Sequence, residues 1–279
     1  MSMQLYDRTA LASSRRITLN YSTSFSLGIR MLSSDYRWAV YAIYGFVRVA
    51  DEIVDTFHGH DKARLLAEFK EQTYRAIEEG ISTNPVLHSF QIACRTYNIG
   101  RELIEPFFNS MEEDLESTTH SNQSYSEYIY GSAEVVGLMC LRVFCYGNEE
   151  RYQHLLPAAR ALGSAFQKVN FIRDLKSDYA DRGRVYFPGI SFQGFNDQTK
   201  LSIISDIRKD FDLAYQGIKQ LPMGCRFGVY TAYRYYLKLL EKIERATAQH
   251  IMEERIRVPD SQKMTLLLKC YLRVKVNVL

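Results

Sequence analysis

The chain has 279 residues, a net charge of +3 and 46% apolar residues. That is enough for a large core, and too little dispersed positive charge for a nucleic-acid surface. The five cysteines lack CxxC spacing and an even count, which excludes a disulfide framework and fits reduced core thiols. No uncharged apolar run reaches the ~18 residues of a spanning helix, and Asp7, Arg8, Arg15 and Arg16 interrupt any secretory h-region. A cytoplasmic protein is expected, free or peripheral on the inner face of the membrane.

In chain order the sequence reads as helix after helix, without a Gly/Ser- or Pro-rich linker or an internal repeat, so one all-α domain over residues 1–279 is expected. From Trp38 to Asp55 the segment is apolar nearly all round, as a helix inside a core would be. Its polar departures, Tyr44, Arg48, Asp51 and Asp55, fall on one face. His58 and His60 follow and read as helix-end histidines. Thr83-Asn84-Pro85 marks a capped helix start, and Pro106 is read as a further boundary. The segment Tyr128 to Leu141 carries Ala133 and Gly137 on one face, which leaves space for a ligand or for a close-packed helix. Glu134 within it reads as a surface or ion-paired residue.

A break at Gly147-Asn148 precedes a second apolar helix. Gln167, Asn170, Asp174 and Asp178 share one face of it, with Leu162, Phe166, Val169, Ile172 and Leu175 on the other. The longest irregular stretch, residues 180–199, follows directly and holds Gly183, Pro188, Gly189 and Gly194, as a lid over a site would. Arg182 and Arg184 there are either anion contacts or solvated charges. Short strand-like pieces are discernible near residues 184–187 and at the C-terminus. Pro222 and Pro259 punctuate the rest. From Glu253 onward six Lys/Arg stand against three acids, among leucines and valines. That pattern suits an amphipathic closing helix or a membrane-surface contact.

The two DxxxD pairs, Asp51/Asp55 and Asp174/Asp178, are the informative feature. Residues i and i+4 on a helix lie about 5–6 Å apart, so like charges there repel. Salt bridges to neighbouring helices would relieve either pair alone. Two such stripes in one chain, each with an arginine (Arg48, Arg173), point instead to Mg²⁺, or Mn²⁺ in its place, and a diphosphate. Metal and arginines would neutralise charge on a departing diphosphate. The allylic cation left behind needs a dry, aromatic pocket. Phe25, Tyr44, Tyr128 and Phe166 lie close enough to the polar stripes to supply one.

These segments also carry a resemblance to the squalene/phytoene synthase family, closest to its bacterial phytoene synthases. Tyr21-Ser22-Thr23-Ser24-Phe25-Ser26 is similar to the family's N-terminal Ser-Phe segment. IYGFVRVADEIVD follows its Tyr, Arg, DxxxD pattern, and YIYGSAEVVGLMCL its tyrosine-led helix. QKVNFIRDLKSDYADRGRVYFP matches the second aspartate motif with RGRxYxP, and ERIRVP a weaker segment. Glu52 stands where a second Asp is common, Lys176-Ser177 where several relatives are acidic, and Tyr21 where some have His.

The resemblance implies a helical isoprenoid synthase fold, with Asp51, Asp55, Asn170, Asp174 and Asp178 holding Mg²⁺ and diphosphate. Arg48, Arg173 and Arg255 would contact diphosphate, with Ser24 and Gln167 near it, and Phe25 would lie in the Ser-Phe substrate segment. Tyr128 would stand by the reacting carbons, with Tyr44 and Tyr236 as further candidates. It further implies head-to-head condensation of two isoprenoid diphosphates without NADPH, geranylgeranyl diphosphate giving phytoene. No nucleic acid and no obligate protein partner are expected. A C15 substrate giving dehydrosqualene or squalene, a class I terpene cyclase and a non-catalytic scaffold are the alternatives.

Overall fold

The computed structural model describes residues 2–116 and 121–275, and every regular element among them is helical. Three helices open the chain: α1 (Met3–Tyr21), α2 (Thr23–Arg30) and α3 (Ser34–Asp55). Then follow α4 (Lys62–Glu79), α5 (Pro85–Tyr97), α6 (Arg101–Glu116) and α7 (Asn122–Ile129). A π-helical turn, Tyr130–Glu134, leads into α8 (Val135–Phe144) and the long α9 (Glu149–Arg173). The chain closes with α10 (Leu175–Arg182), α11 (Asp197–Ile218), α12 (Met223–Arg245), α13 (Ala248–Glu253) and α14 (Asp260–Lys275).

Local chemistry sets the boundaries. The Asn84 side chain accepts from the Val86 and Leu87 N–H groups, with Pro85 at the first helical position, so α5 starts where the sequence places it. Asn148 caps α9 by accepting from the Arg151 N–H. Asn196 and Thr199 form a reciprocal capping box that ends the irregular stretch and starts α11.

Two boundaries differ from the sequence reading. Pro106 lies inside α6 and does not interrupt it. The lost N–H costs one backbone bond, outweighed by Leu103, Ile104, Phe107 and Phe108, all buried on the face α6 turns to the core. The strand-like pieces are also absent: residues 184–187 are irregular, and the C-terminal piece continues α14 up to residue 275. Residues 276–279 lie outside the described part.

The core behind α3 is a phenylalanine cluster. Phe46 stacks on Phe90 at 3.9 Å and meets Phe69, Phe107 and Phe108 at 5.3–5.7 Å, tying α3 to α4, α5 and α6. On the opposite side small residues let helices approach. A Cβ on Gly228 would lie 2.6 Å from the Gly28 carbonyl oxygen, which brings α12 onto α2. A Cβ on Gly163 would lie 2.8 Å from the Ala133 carbonyl oxygen, which seats α9 against the π turn. Between these two packed sides α2, α3, α8, α9, α11 and α12 leave a space.

Candidate active site

That space is a cavity of about 500 Å³. Its two ends differ chemically. The apolar end is closed by Phe144, Leu155, Ile218 and Leu221, and the polar end by Arg48, Asp51, Asp55, Asn170, Asp174 and Asp178. Helix α9 runs along the whole of it. From Leu155 to Asp174 is roughly 28 Å at 1.5 Å per residue.

The polar end is built from two helix termini. Asp51 and Asp55 stand on the last turn of α3, with Asp51 4.0 Å from Arg48. Arg48 also pairs with Glu52, and its guanidinium carbon lies 4.4 Å above the Tyr21 ring. The Arg48 Nε is buried and lacks a hydrogen-bond partner within the described residues. Opposite, the helix expected to run through Asp178 divides at Asp174, whose φ of −99° and ψ of 6° join α9 to α10. The ladder survives the joint, since the Asp174 N–H reaches the Asn170 carbonyl and the Asp178 N–H that of Asp174, both at 2.9 Å. All four aspartates and Asn170 therefore face one space.

Arg173 donates from Nε to Asp174 at 2.9 Å and pairs with it again through Nη2. Burial works against the Arg173 charge, but the Asp174 carboxylate outweighs it and holds the guanidinium above its ordinary range. Arg255 joins the same carboxylate at 2.6 Å from outside the cavity wall. Gln167 lines the cavity and donates to Ser132 Oγ at 3.2 Å. Tyr236 is not on the wall. It stands behind it, stacked on Phe166 at 4.0 Å, with its hydroxyl 3.3 Å from Asn170 Oδ1. Burial pushes that phenol up to about 12. Ser24 lies in α2, and its side chain, like that of Arg182, falls outside the described residues.

Below the polar end the wall is aromatic. Phe25 meets Tyr44 and Tyr236 at 5.9 Å and Phe166 at 6.2 Å. On the facing side Tyr128 stacks with Tyr186 at 5.4 Å, and Tyr186 with Phe171 at 4.1 Å. Tyr128 is buried and donates to Asp114 Oδ2 at 2.8 Å. Burial first, then the Asp114 charge, raises its pKa well above the usual phenol range, so it stays neutral in water of any ordinary pH. Ala133 and Gly137 line the cavity and also admit α9, so both readings of the small-residue face hold.

Asp114 is the residue that sequence reasoning missed. It lines the cavity from α6, and besides Tyr128 it binds Arg184 at 2.5 Å. Arg184 is thus not a solvated charge: it is buried, and its second Nη reaches the Asp114 carbonyl. Glu134 is ion-paired with Arg160 at 2.5 Å, as one of its readings had it.

An all-α arrangement of helices around a cavity, with carboxylates at one end, an aromatic wall next to them and an apolar far end, is the isoprenoid synthase fold. A crystal structure of a dehydrosqualene synthase superposes with a TM-score of 0.82 at 22% identity, over 98% of this chain and 99% of that one. The squalene/phytoene synthase family profile matches residues 18–262, and the chain belongs to this family of prenyltransferases, whose reaction is head-to-head prenyl diphosphate condensation. It is 27% identical to the phytoene synthase of Arthrospira platensis, over 94% of this chain and 92% of that protein. To the 4,4'-diapophytoene synthase of Staphylococcus haemolyticus it is 26% identical, over 70% of this chain and 66% of that protein. Family membership leaves the cyclase and scaffold alternatives without support.

Proposed function

We propose that the chain condenses two molecules of geranylgeranyl diphosphate head to head into phytoene, acting in carotenoid synthesis in the cytoplasm or at the inner membrane surface. The observation that carries the reading is the pairing of Asp51/Asp55 with Asp174/Asp178 across one end of an otherwise apolar cavity. The site chemistry suits Mg²⁺ or Mn²⁺. Its donors, the Asp51, Asp55, Asp174 and Asp178 carboxylates and the Asn170 amide, are hard oxygens lining one end of the cavity. A partial protein shell is what Mg²⁺ uses when phosphate oxygens and water complete it. Asp51, Asp55, Asn170, Asp174 and Asp178 would hold the metal, which when bound offsets the charge of the leaving diphosphate.

The chain's own residues do the rest. Arg48, Arg173 and Arg255 orient the diphosphate, and the unpartnered Arg48 Nε is a buried donor suited to a phosphate oxygen. Gln167, and Ser24 on α2, flank that group. The allylic C–O bond breaks with its electron pair leaving on diphosphate. The double bond of the second substrate attacks the cation, and loss of a proton closes a cyclopropylcarbinyl diphosphate. A second ionisation, rearrangement and proton loss give the conjugated triene. Phe25, Tyr44 and Phe166 present ring faces to these cations, Tyr236 backs Phe166, and Tyr128 stands beside the carbons. Water is kept out by the apolar wall.

A C15 substrate is the second reading, favoured by the relative and the neighbour named for diapophytoene and dehydrosqualene. Incubation with geranylgeranyl or farnesyl diphosphate and Mg²⁺, with and without NADPH, followed by mass analysis of the hexane extract, separates them. A C40 triene formed without NADPH is the expected product. A C30 product keeps the mechanism and corrects the chain length, and the absence of any condensed hydrocarbon from folded protein refutes the reading.

A further inference from the structure

The closed end of the cavity is thin on one side. Behind it, on the outer surface, lies a groove lined by Asn148, Glu150, Arg151, His154, Leu155 and Gln220. Its polar members are all exposed, so the groove is open to water. Among the described residues lining the two spaces, Leu155 alone belongs to both. Its side chain is only 2% exposed, so nearly all of it faces inward. One leucine therefore stands between an apolar cavity and a polar groove.

The local geometry gives that partition no substitute. Helix α9 begins at Glu149, and its first turns give Glu150, Arg151 and His154 to the groove before Leu155, Ala158 and Ala159 line the cavity. Beside Leu155 the wall is the backbone of Gly217 on α11, where a Cβ would lie 3.7 Å from Leu155 Cδ2. With glycine there, no side chain stands ready to fill the place of a shortened leucine. On the outside His154 Nε2 donates to Gln220 Oε1 at 2.7 Å. Gln220 Nε2 in turn donates to the Gln216 carbonyl at 3.2 Å, which orients the amide and ties the two banks of the groove. The other residues of the closed end, Phe144, Ile218 and Leu221, line the cavity and not the groove. Shortening one of them deepens the cavity by the atoms removed, whereas shortening Leu155 joins it to the space outside.

We propose that Leu155 is the specificity-determining stop for the prenyl tail, admitting chains that end against it and refusing longer ones. The inference rests on the prenyl-chain reading of the cavity. A pocket even one methylene too short discriminates by about tenfold or more, and a further isoprene unit exceeds that. The full chain is assayed with C20 and C25 prenyl diphosphates in competition, and products are read by mass. Binding of unreactive analogues, with sulfur in place of the scissile allylic oxygen, is measured separately by calorimetry. Wild type is expected to favour C20 over C25 by about tenfold or more in both readouts. Leu155→Ala should raise the C25 to C20 ratio by about tenfold, and Leu155→Val should move it the same way by less. Ile218→Ala removes as many atoms without opening the groove and should leave the ratio within about twofold of wild type. Circular dichroism establishes which variants are folded. A wild type indifferent to the extra unit, a folded Leu155 variant with the wild-type ratio, or an Ile218→Ala shift equal to that of Leu155→Ala would each overturn the stop. Analogue binding that shifts as expected while no protein forms hydrocarbon would retain the stop and remove the proposed reaction.

Discussion

Asp114 ties a tyrosine on α7 to an arginine seventy positions further along the chain. Both charges of the Asp114–Arg184 pair are nearly out of water, at 9% and 8% side-chain exposure. Asp114→Ala would leave the guanidinium buried and unpaired, and a loss of about 3–5 kcal/mol in urea-monitored stability is expected. Asp51→Asn and Asp174→Asn lie at the cavity mouth, where no buried charge loses its last partner: Arg48 keeps Glu52, and Arg173 keeps the amide oxygen. They should abolish turnover while leaving the unfolding midpoint close to wild type; near-normal turnover in either would remove these residues from the chemistry. This contrast also marks what was legible. The aspartate pairs stand out because i, i+4 carboxylates in an apolar helix demand an explanation. Asp114 follows Glu112 and Glu113 in what reads as a solvated acidic run, and its burial depends on contacts distant in sequence.

At the scale of elements, helices were readable wherever caps and apolar faces agreed, as at Asn84-Pro85 and along α3. Reading failed at Pro106, where local propensity says stop and tertiary burial says continue, and at Asp174, where the aspartate face proved to span two helices. Glu105, one residue before Pro106, shows how α6 is further secured. It accepts from Tyr74 at 2.6 Å and pairs with Lys70 at 2.7 Å on α4, and with Arg101 at 3.3 Å. The bonds from Lys70 and Tyr74 lower its pKa from 4.5 to about 2. A depressed carboxyl binds fewer protons in the folded than in the unfolded chain, so its stabilisation is complete above 4.5 and fades as pH falls toward about 2. Glu105→Gln should cost about 1 kcal/mol at pH 7. Unfolding followed across acid pH should show the gap between variant and wild type closing across that range, from about 4.5 down to about 2. A gap that persists at pH 2 would mean the carboxylate charge is not what binds α4 to α6.

For the molecule as a whole, the cavity is a measuring device with one charged and one closed end. Ala159 lines it on α9, fifteen residues before Asp174, or roughly 22 Å of helix. Ala159→Phe should fill the tail end, leave the polar end intact, and raise the share of C30 over C40 hydrocarbon when C15 and C20 diphosphates compete. An unchanged product ratio would place the prenyl tails elsewhere. Which tail fits could not be read from the sequence, because the closed end is assembled from α8, α9 and α11, whose meeting is fixed by small residues such as Gly217 against Ala158.

The π turn at Tyr130–Glu134 bears on that same wall. Tyr128, Ser132, Val136, Cys140 and Phe144 all line the cavity at intervals of four. Over each such step an α-helix drifts about 40°, so without correction the row would wander out of the cavity before its end. One wider turn absorbs about one extra residue and resets the phase. The wall is therefore written in a reading frame: removing a single residue from this turn would rotate everything before it by about 100° relative to α8, and Tyr128 would face away from the carbons with every side chain of the site still present in the sequence.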